Sequence, residues 1–111
     1  MEIEDFDKFI DGVLETHIKG VMCKKGQEYS RGNDKLYNFK RAGEMRGVSP
    51  IEALRGMKLK HDVSIDDLLN DEEDGSYISQ ELWEEKLHDE INYLLLLWAL
   101  LYEKYEWEIK K

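Results

Sequence analysis

The feature that most limits the fold is a ten-residue apolar run at residues 93–102. It lies in a longer segment whose apolar residues recur at helical spacing, namely Trp83, Leu87, Leu94, Trp98 and Leu101. With Ser79 as a cap, this pattern predicts one long helix over residues 80–109. Because the run is apolar on every side, we expect this helix to form a homodimer or a higher homo-oligomer. The alternative is a central helix that the other helices surround.

Three further helices are predicted before this one. The first covers residues 4–24 and carries one apolar stripe, which we expect to be buried. The second follows a cap at Asn33 and ends at Gly47. The third begins with Ser49-Pro50-Ile51-Glu52, which combines a cap, a first-turn proline and an acid three residues after the cap. Since no segment alternates like a strand, the sequence predicts an all-α fold, a compact four-helix single domain over residues 1–111.

Charge is distributed unevenly along the chain, whose net charge is −9. Residues 19–60 hold 11 of the 16 Lys and Arg residues and only four acids, so this segment alone is +7. A basic segment beside carboxylates suits a nucleotide with its divalent metal. Proteins that bind duplex DNA usually present net basic domains, so we do not expect duplex nucleic acid as the partner.

The sequence also indicates where the protein acts. Cys23 is the only cysteine, which excludes a disulfide framework within the chain and favours a reducing cytosol. Residues 1–5 are acidic and lack the apolar stretch of a signal peptide. The apolar run is about half as long as a membrane span. We therefore expect a cytoplasmic protein without a membrane segment.

A polar stripe on the fourth predicted helix is the first candidate site. Glu85, Asp89 and Asn92 stand at i, i+4 and i+7, so their side chains point the same way. Two carboxylates one turn apart can hold Mg²⁺, which makes Glu85 and Asp89 the metal-binding and catalytic candidates. Asn92 is a ligand-binding candidate. The alternative is an ordinary surface or interface.

The third predicted helix repeats this spacing with Lys60, Ser64 and Asp67. If the two stripes face each other, they form a half-buried polar pocket for a ligand. The alternative is a salt-bridge network, Lys60 with Asp89 or Lys86 with Asp67, that only joins the two helices.

Other ligand-binding candidates are a histidine and a basic loop. His61 falls on the apolar side of the third predicted helix, where most histidines are hydrogen-bonded core residues. Lys24, Lys25 and Arg31 surround a loop that leads to a helix N-terminus, where free N–H groups favour phosphate. Tyr29 could stack on a base. The alternative is a solvated loop, and the order of residues is not that of a Walker motif.

Five segments occur in order along most of the chain: KGQEY from residue 25, LYNFK from residue 36, GVSPIEALRGM from residue 47, KHDVSIDD from residue 60 and EKLHDEINYLLLL from residue 85. Together they resemble the nucleotide modification associated domain type 1 family of phages and prophages. That family is predicted to act in nucleotide metabolism or in sensing modified nucleotides. The resemblance implies a phage-type nucleotide-binding protein of the host cytosol, and it adds Asn38 and Lys86 to the ligand-binding candidates.

The last helix is also similar, more distantly, to all-α nucleoside triphosphate pyrophosphohydrolases of the MazG and dimeric dUTPase type. Those enzymes hold Mg²⁺ between Glu-x-x-Glu on one helix and Glu-x-x-Asp on the next. This chain has Lys86 where a motif glutamate would fall, and its preceding helix supplies only one acid of the stripe, Asp67. Fewer acids weaken metal binding, whereas lysine suits direct contact with phosphate.

Three functions compete. The leading one is a protein that binds a nucleotide, and senses or sequesters a modified or signalling nucleotide or acts in nucleotide metabolism. The alternative is a Mg²⁺-dependent hydrolase, in which the metal polarises a phosphoryl oxygen and orients a water. The third is an acidic phage protein that inhibits a host nuclease or serves as an adaptor, although the basic middle segment works against it.

Overall fold

The computed structural model describes residues 1–22 and 31–110. In that part of the chain the helices are α1 (Ile3–Gly12), a π-helical segment (Val13–Met22), α2 (Tyr37–Arg46), α3 (Pro50–Glu73) and α4 (Gln80–Tyr105). The predicted all-α fold with a long C-terminal helix is confirmed. The chain forms two compact units, Met1–Asn38 and Phe39–Lys111. The single domain over residues 1–111 stays a prediction.

In the first unit, α1 is amphipathic but its apolar stripe is not covered. Phe6, Phe9 and Ile10 are exposed, and α1 contains no buried residue. After Gly12 the helix widens from α to π geometry, so i→i+5 bonding replaces i→i+4 and the stripe loses its register. Within this unit α1 contacts the π-helical segment that continues it. The prediction of one buried stripe over residues 4–24 is therefore wrong for α1.

The start of α2 also differs from the prediction. Asn33 does not cap the helix; instead the carboxylate of Asp34 accepts a hydrogen bond from the Leu36 N–H at 2.9 Å. Two backbone hydrogen bonds of 3.3 Å join Arg31 and Asp34 into a narrow turn, and α2 begins at Tyr37. This side-chain hydrogen bond closes a local turn ahead of α2, so the predicted cap at Asn33 lies four residues before the first helical residue.

The two predicted serine caps in the second unit are confirmed. Ser49 Oγ accepts from the Glu52 N–H at 3.1 Å, and Pro50 occupies the first turn of α3. Ser79 Oγ accepts from the Leu82 N–H at 3.2 Å at the start of α4. The end of α4 comes earlier than residue 109, because Glu106 adopts a left-handed conformation with φ of 54°. The chain then turns back.

The second unit is built on an antiparallel pair of helices. The indole N–H of Trp83 donates to Glu72 at 3.2 Å beside the turn that joins α3 to α4, and contacts between the helices continue away from that turn. Its buried core is small and consists of Phe39, Ala53, Leu54, Leu68 and Leu100.

The apolar stripe that the sequence predicts on α4 is partly exposed, and polar side chains of this helix contact α3. Leu87, Leu94 and Trp98 are exposed, whereas Glu90 and Tyr93 contact α3. The exposed residues and the residues that contact α3 both recur at helical spacing, and the run at residues 93–102 is apolar all round. Periodicity alone therefore did not distinguish the two faces of α4.

Among the described helices, none has an apolar stretch long enough to cross a membrane.

Gly43 marks a close approach between α2 and the turn before α3. A Cβ atom at this position would lie 2.7 Å from the carbonyl oxygen of Val48, and Val48 N–H donates to Gly43 O at 2.9 Å. Backbone atoms cannot move aside cheaply, so we expect Gly43→Ala to lower the free energy of unfolding by about 1–2 kcal/mol. Urea denaturation measures this.

Gly12→Ala is the matched control, because nothing lies within 4 Å of a Cβ atom there. Alanine favours a helix, so this variant should be as stable as the wild type or more stable by up to about 1 kcal/mol. Equal losses in the two variants would contradict the close approach at Gly43.

Candidate ligand-binding site

Polar side chains meet midway along the contact between α3 and α4. We call this group the seam, and it consists of Lys58, His61, Asp62, Asp89, Glu90 and Tyr93. On α3, His61 and Asp62 follow Lys58 by three and four residues, so both lie next to Lys58 on that helix. Because the helices are antiparallel, this part of α3 meets Asp89, Glu90 and Tyr93 of α4. The two predicted stripes therefore belong to helices that do face each other.

Lys58 connects the two helices. Its ammonium group donates to Asp62 Oδ1 at 2.6 Å, one turn along α3, and to Glu90 Oε2 at 3.4 Å on α4. The side chains of Lys58 and Glu90 are each only 19% exposed, whereas Asp62 is 42% exposed. One half-buried cation thus faces two carboxylates, which leaves this part of the seam with excess negative charge.

The pKa values reflect this imbalance. The hydrogen bond to Asp62 raises the pKa of the Lys58 ammonium group above its usual value. The same hydrogen bond lowers the pKa of the Asp62 carboxyl. Burial raises the pKa of the Glu90 carboxyl, and the neighbouring Asp62 carboxylate acts in the same direction. Of the two carboxylates, Asp62 is therefore the better partner for Lys58.

His61 forms the other half of the seam. Its Nδ1 atom lies 3.7 Å from Asp89 Oδ2, which is an ion-pair distance but too long for a hydrogen bond. Its ring centroid lies 4.9 Å from that of Tyr93, at an interplanar angle of 38°. All three side chains are half-buried. Asp89 and Tyr93 thus lie against the imidazole, but Asp89 does not form a hydrogen bond with it.

Two acceptor atoms on α4 lack a donor. Glu90 Oε1 and Asn92 Oδ1 are buried and have no hydrogen-bond partner in residues 1–22 and 31–110. Buried acceptors are normally satisfied by protein or water, so an unused one indicates a place where an outside donor is favourable. A ligand at this part of α3 and α4 could therefore form hydrogen bonds with Glu90 Oε1, with Asn92 Oδ1 and with the imidazole of His61.

The raised pKa of Glu90 predicts how stability depends on pH. The folded protein binds this proton more tightly than the unfolded chain, so the contribution of Glu90 is complete below its unfolded pKa and is lost as pH rises through the folded value. Lowering the pH from 7 to about 5 should therefore raise the contribution of Glu90 to stability. Asp62 acts oppositely, because its lowered pKa gives stability that is lost only at still lower pH.

Melting temperatures measured from pH 7 to 5 test this prediction. Glu90→Gln cannot take up the proton, so the difference in stability between the variant and the wild type should shrink as the pH falls. Glu84 is at an exposed position of the same helix, so the melting temperature of Glu84→Gln should change with pH in parallel with that of the wild type. Parallel curves for Glu90→Gln and the wild type would contradict the assignment.

The remaining predicted residues of these helices are more scattered. Lys60, Asp67 and Glu85 are exposed, whereas Ser64, Lys86 and Asn92 are half-buried. The structure does not form the ion pairs considered for the alternative, Lys60 with Asp89 and Lys86 with Asp67, in the part of the chain it describes. Of the residues in the two stripes, only Asp89 forms an ion pair across the helices, and its partner is His61.

Within the described residues, no third His, Cys, Asp or Glu side chain joins Glu85 and Asp89 at the predicted magnesium site. Glu85 is exposed and Asp89 faces His61. In residues 1–22 and 31–110, no group of three or more His, Cys, Asp or Glu side chains is arranged to hold a metal ion. Mg²⁺ binding by Glu85 and Asp89 stays a prediction.

The predicted phosphate loop falls mostly outside the described residues. Lys24, Lys25 and Tyr29 lie there, so their roles stay predictions. Arg31 and Asn38 belong to the first unit, where both side chains are exposed.

Sequence reasoning missed four members of the seam, namely Lys58, Asp62, Glu90 and Tyr93. A signal was present for Lys58 and Asp62, because opposite charges four residues apart pair on a helix. Glu90 also gave one, since it is the last acid before a long apolar run and is therefore a candidate for burial. Comparisons of the chain with protein-family models, with curated proteins and with solved structures give no match.

Proposed function

We propose that this chain binds a nucleotide at the seam between α3 and α4. The observation that carries the proposal is the contact of His61 with Asp89 and Tyr93, at 3.7 Å from Nδ1 to Oδ2 of Asp89 and 4.9 Å between ring centroids. The family resemblance of the sequence suggests the class of ligand, and this contact supports the seam as its binding place.

The polar groups suit the base and ribose of a nucleotide. A base is planar and carries several N–H donors, and the unused acceptors Glu90 Oε1 and Asn92 Oδ1 favour such donors. The aromatic rings of His61 and Tyr93 can contact the flat face of a base. Asp89 can accept from a ribose hydroxyl, as a half-buried carboxylate with no hydrogen bond to His61.

Lysines beside the seam suit the phosphates. Lys60 precedes His61 on α3, and Lys86 lies one turn before Glu90 on α4. Within the described residues, neither ammonium group has a carboxylate within 4.0 Å. Their charges are therefore available to an anion, and a flexible ammonium group is a common ligand of phosphate.

A thermal-shift panel tests the proposal. Ribonucleotides, deoxyribonucleotides and cyclic nucleotides are added to the protein, each with Mg²⁺ and with EDTA. A nucleotide present at about 100 times its dissociation constant should stabilise the fold by about 2.7 kcal/mol. Chromatography of the stabilising nucleotide then shows whether it is intact. Stabilisation that survives EDTA without product supports binding alone.

Two outcomes would change the proposal. Product that forms only with Mg²⁺ would favour the hydrolase alternative, with Glu85 and Asp89 as its metal ligands. An unchanged melting temperature with every nucleotide would contradict nucleotide binding.

We also propose the cytoplasm as the place of action, because nucleotides and reduced thiols such as Cys23 coexist there.

We propose a homodimer formed through the outer face of α4. On this face Leu94 is 51% exposed and Trp98 is 57% exposed, and residues 91–102 contain no charged side chain. An uncharged apolar stripe is complementary to itself, which a two-fold interface requires. Sedimentation equilibrium should therefore give twice the mass of one chain.

Leu94→Glu should shift this equilibrium to the monomer, because two carboxylates would meet at the interface. Leu69→Glu, at an exposed position of α3, is the matched control and should leave the mass unchanged. A wild-type protein that is monomeric at about 100 μM would contradict the dimer.

A further inference from the structure

A cavity of about 320 Å³ lies in the second unit, away from the seam. The end of α4, the start of α3 and one residue of α2 line it, and it is open to solvent on one side. Its lining residues are Lys40, Ser49, Pro50, Ile51, Leu100, Glu103 and Lys104. None of them belongs to the seam, so this cavity is independent of the proposed nucleotide site.

The charged groups of the cavity are not equivalent. Lys40 Nζ lies 2.6 Å from Glu103 Oε1, so these two neutralise each other. Lys104 has no carboxylate within 4.0 Å in the described part of the chain, and its Nζ lies 5.2 Å from the centroid of the Tyr105 ring. Among the residues that line the cavity, Lys104 therefore carries the positive charge that no carboxylate of the described residues neutralises.

The start of α3 adds little to this charge. Ser49 Oγ already accepts from the Glu52 N–H, Ser49 O accepts from the Ala53 N–H, and Pro50 has no N–H. Its contribution to the cavity is apolar instead, through Pro50 and Ile51. The side chain of Leu100 adds a third apolar surface.

We propose that this cavity binds a small organic anion that has an apolar body. The body contacts Pro50, Ile51 and Leu100, and a phosphate or carboxylate group of the ligand pairs with Lys104. A volume near 300 Å³ is at the lower end for ligand sites in proteins, which limits the body to about one ring or a short branched chain. Neither an inorganic anion nor a neutral ring uses both parts of the cavity.

NMR titrations of the full, ¹⁵N-labelled chain test the proposal with three probes. Phenyl phosphate has both the ring and the charge, benzyl alcohol has the ring without the charge, and inorganic phosphate has the charge without the ring. We expect phenyl phosphate to shift the amide signals of Ile51, Leu100 and Lys104 most, and to bind about tenfold more tightly than the other two. Benzoate in place of phenyl phosphate shows whether carboxylate serves as well.

Two substitutions of exposed lysines make the test specific. Lys104→Gln should weaken phenyl phosphate about tenfold, because the paired charge is lost. Lys110→Gln is the matched control near the same end of the chain and should bind like the wild type. Wild-type affinity in Lys104→Gln, equal affinity for benzyl alcohol and phenyl phosphate, or shifts centred on the seam would overturn the proposal.

Discussion

Leu54→Ala is expected to lower the free energy of unfolding by about 3 kcal/mol, the largest effect on stability that the structure predicts. Leu54 is 1% exposed and is the largest fully buried side chain in the described residues. The second unit has few other buried apolar residues, so little can collapse into the space that alanine would leave. Urea denaturation followed by circular dichroism measures the loss.

Leu69→Ala is the matched control for this prediction. It removes the same atoms from the same helix, but Leu69 is 55% exposed. The expected loss is below about 1 kcal/mol, since most of this side chain already contacts water. Equal losses in the two variants would show that α3 does not bury the face that contains Leu54.

Asp89→Asn is expected to weaken nucleotide binding between about tenfold and a hundredfold, which is about 1.4–2.8 kcal/mol. The substitution keeps the shape of the side chain and removes the charge that lies 3.7 Å from His61 Nδ1. A hydrogen bond to a charged group is worth about this much when it is lost from a half-buried site. Calorimetric titration with the nucleotide that raises the melting temperature most gives the affinity.

Glu85→Gln is the control for Asp89→Asn, because both carboxylates lie on the same stripe of α4 one turn apart. Glu85 is exposed, and we expect its loss to change nucleotide affinity less than about threefold in the absence of metal. If both variants lose affinity only when Mg²⁺ is present, the pair holds a metal instead. If neither loses affinity, the nucleotide does not bind at Asp89.

Local signals predicted the framework of the second unit well. Ser49 and Ser79 act as caps at the predicted positions, because a cap needs only a side-chain oxygen and the next few residues. The order of α2, α3 and α4 followed from the same local patterns. Contact between α3 and α4 was a condition of the predicted polar pocket, and the structure brings these two helices together.

Which face of each helix is covered was not predictable in the same way. Leu94 and Ile10 have the spacing of buried residues, yet both are exposed, because burial depends on a partner that spacing does not specify. The seam shows the same limit. Sequence indicated Asp89 and His61 separately, but the pairing of Lys58 with Glu90 is set by the register between two helices.

The most direct test of nucleotide binding at the seam is an NMR titration of the full, ¹⁵N-labelled chain with the best-stabilising nucleotide. We expect the largest amide shifts at His61, Asp89 and Tyr93, with smaller shifts at Lys104 and along α1. Largest shifts outside α3 and α4, or no shifts at a nucleotide concentration of about 5 mM, would contradict a nucleotide site at the seam.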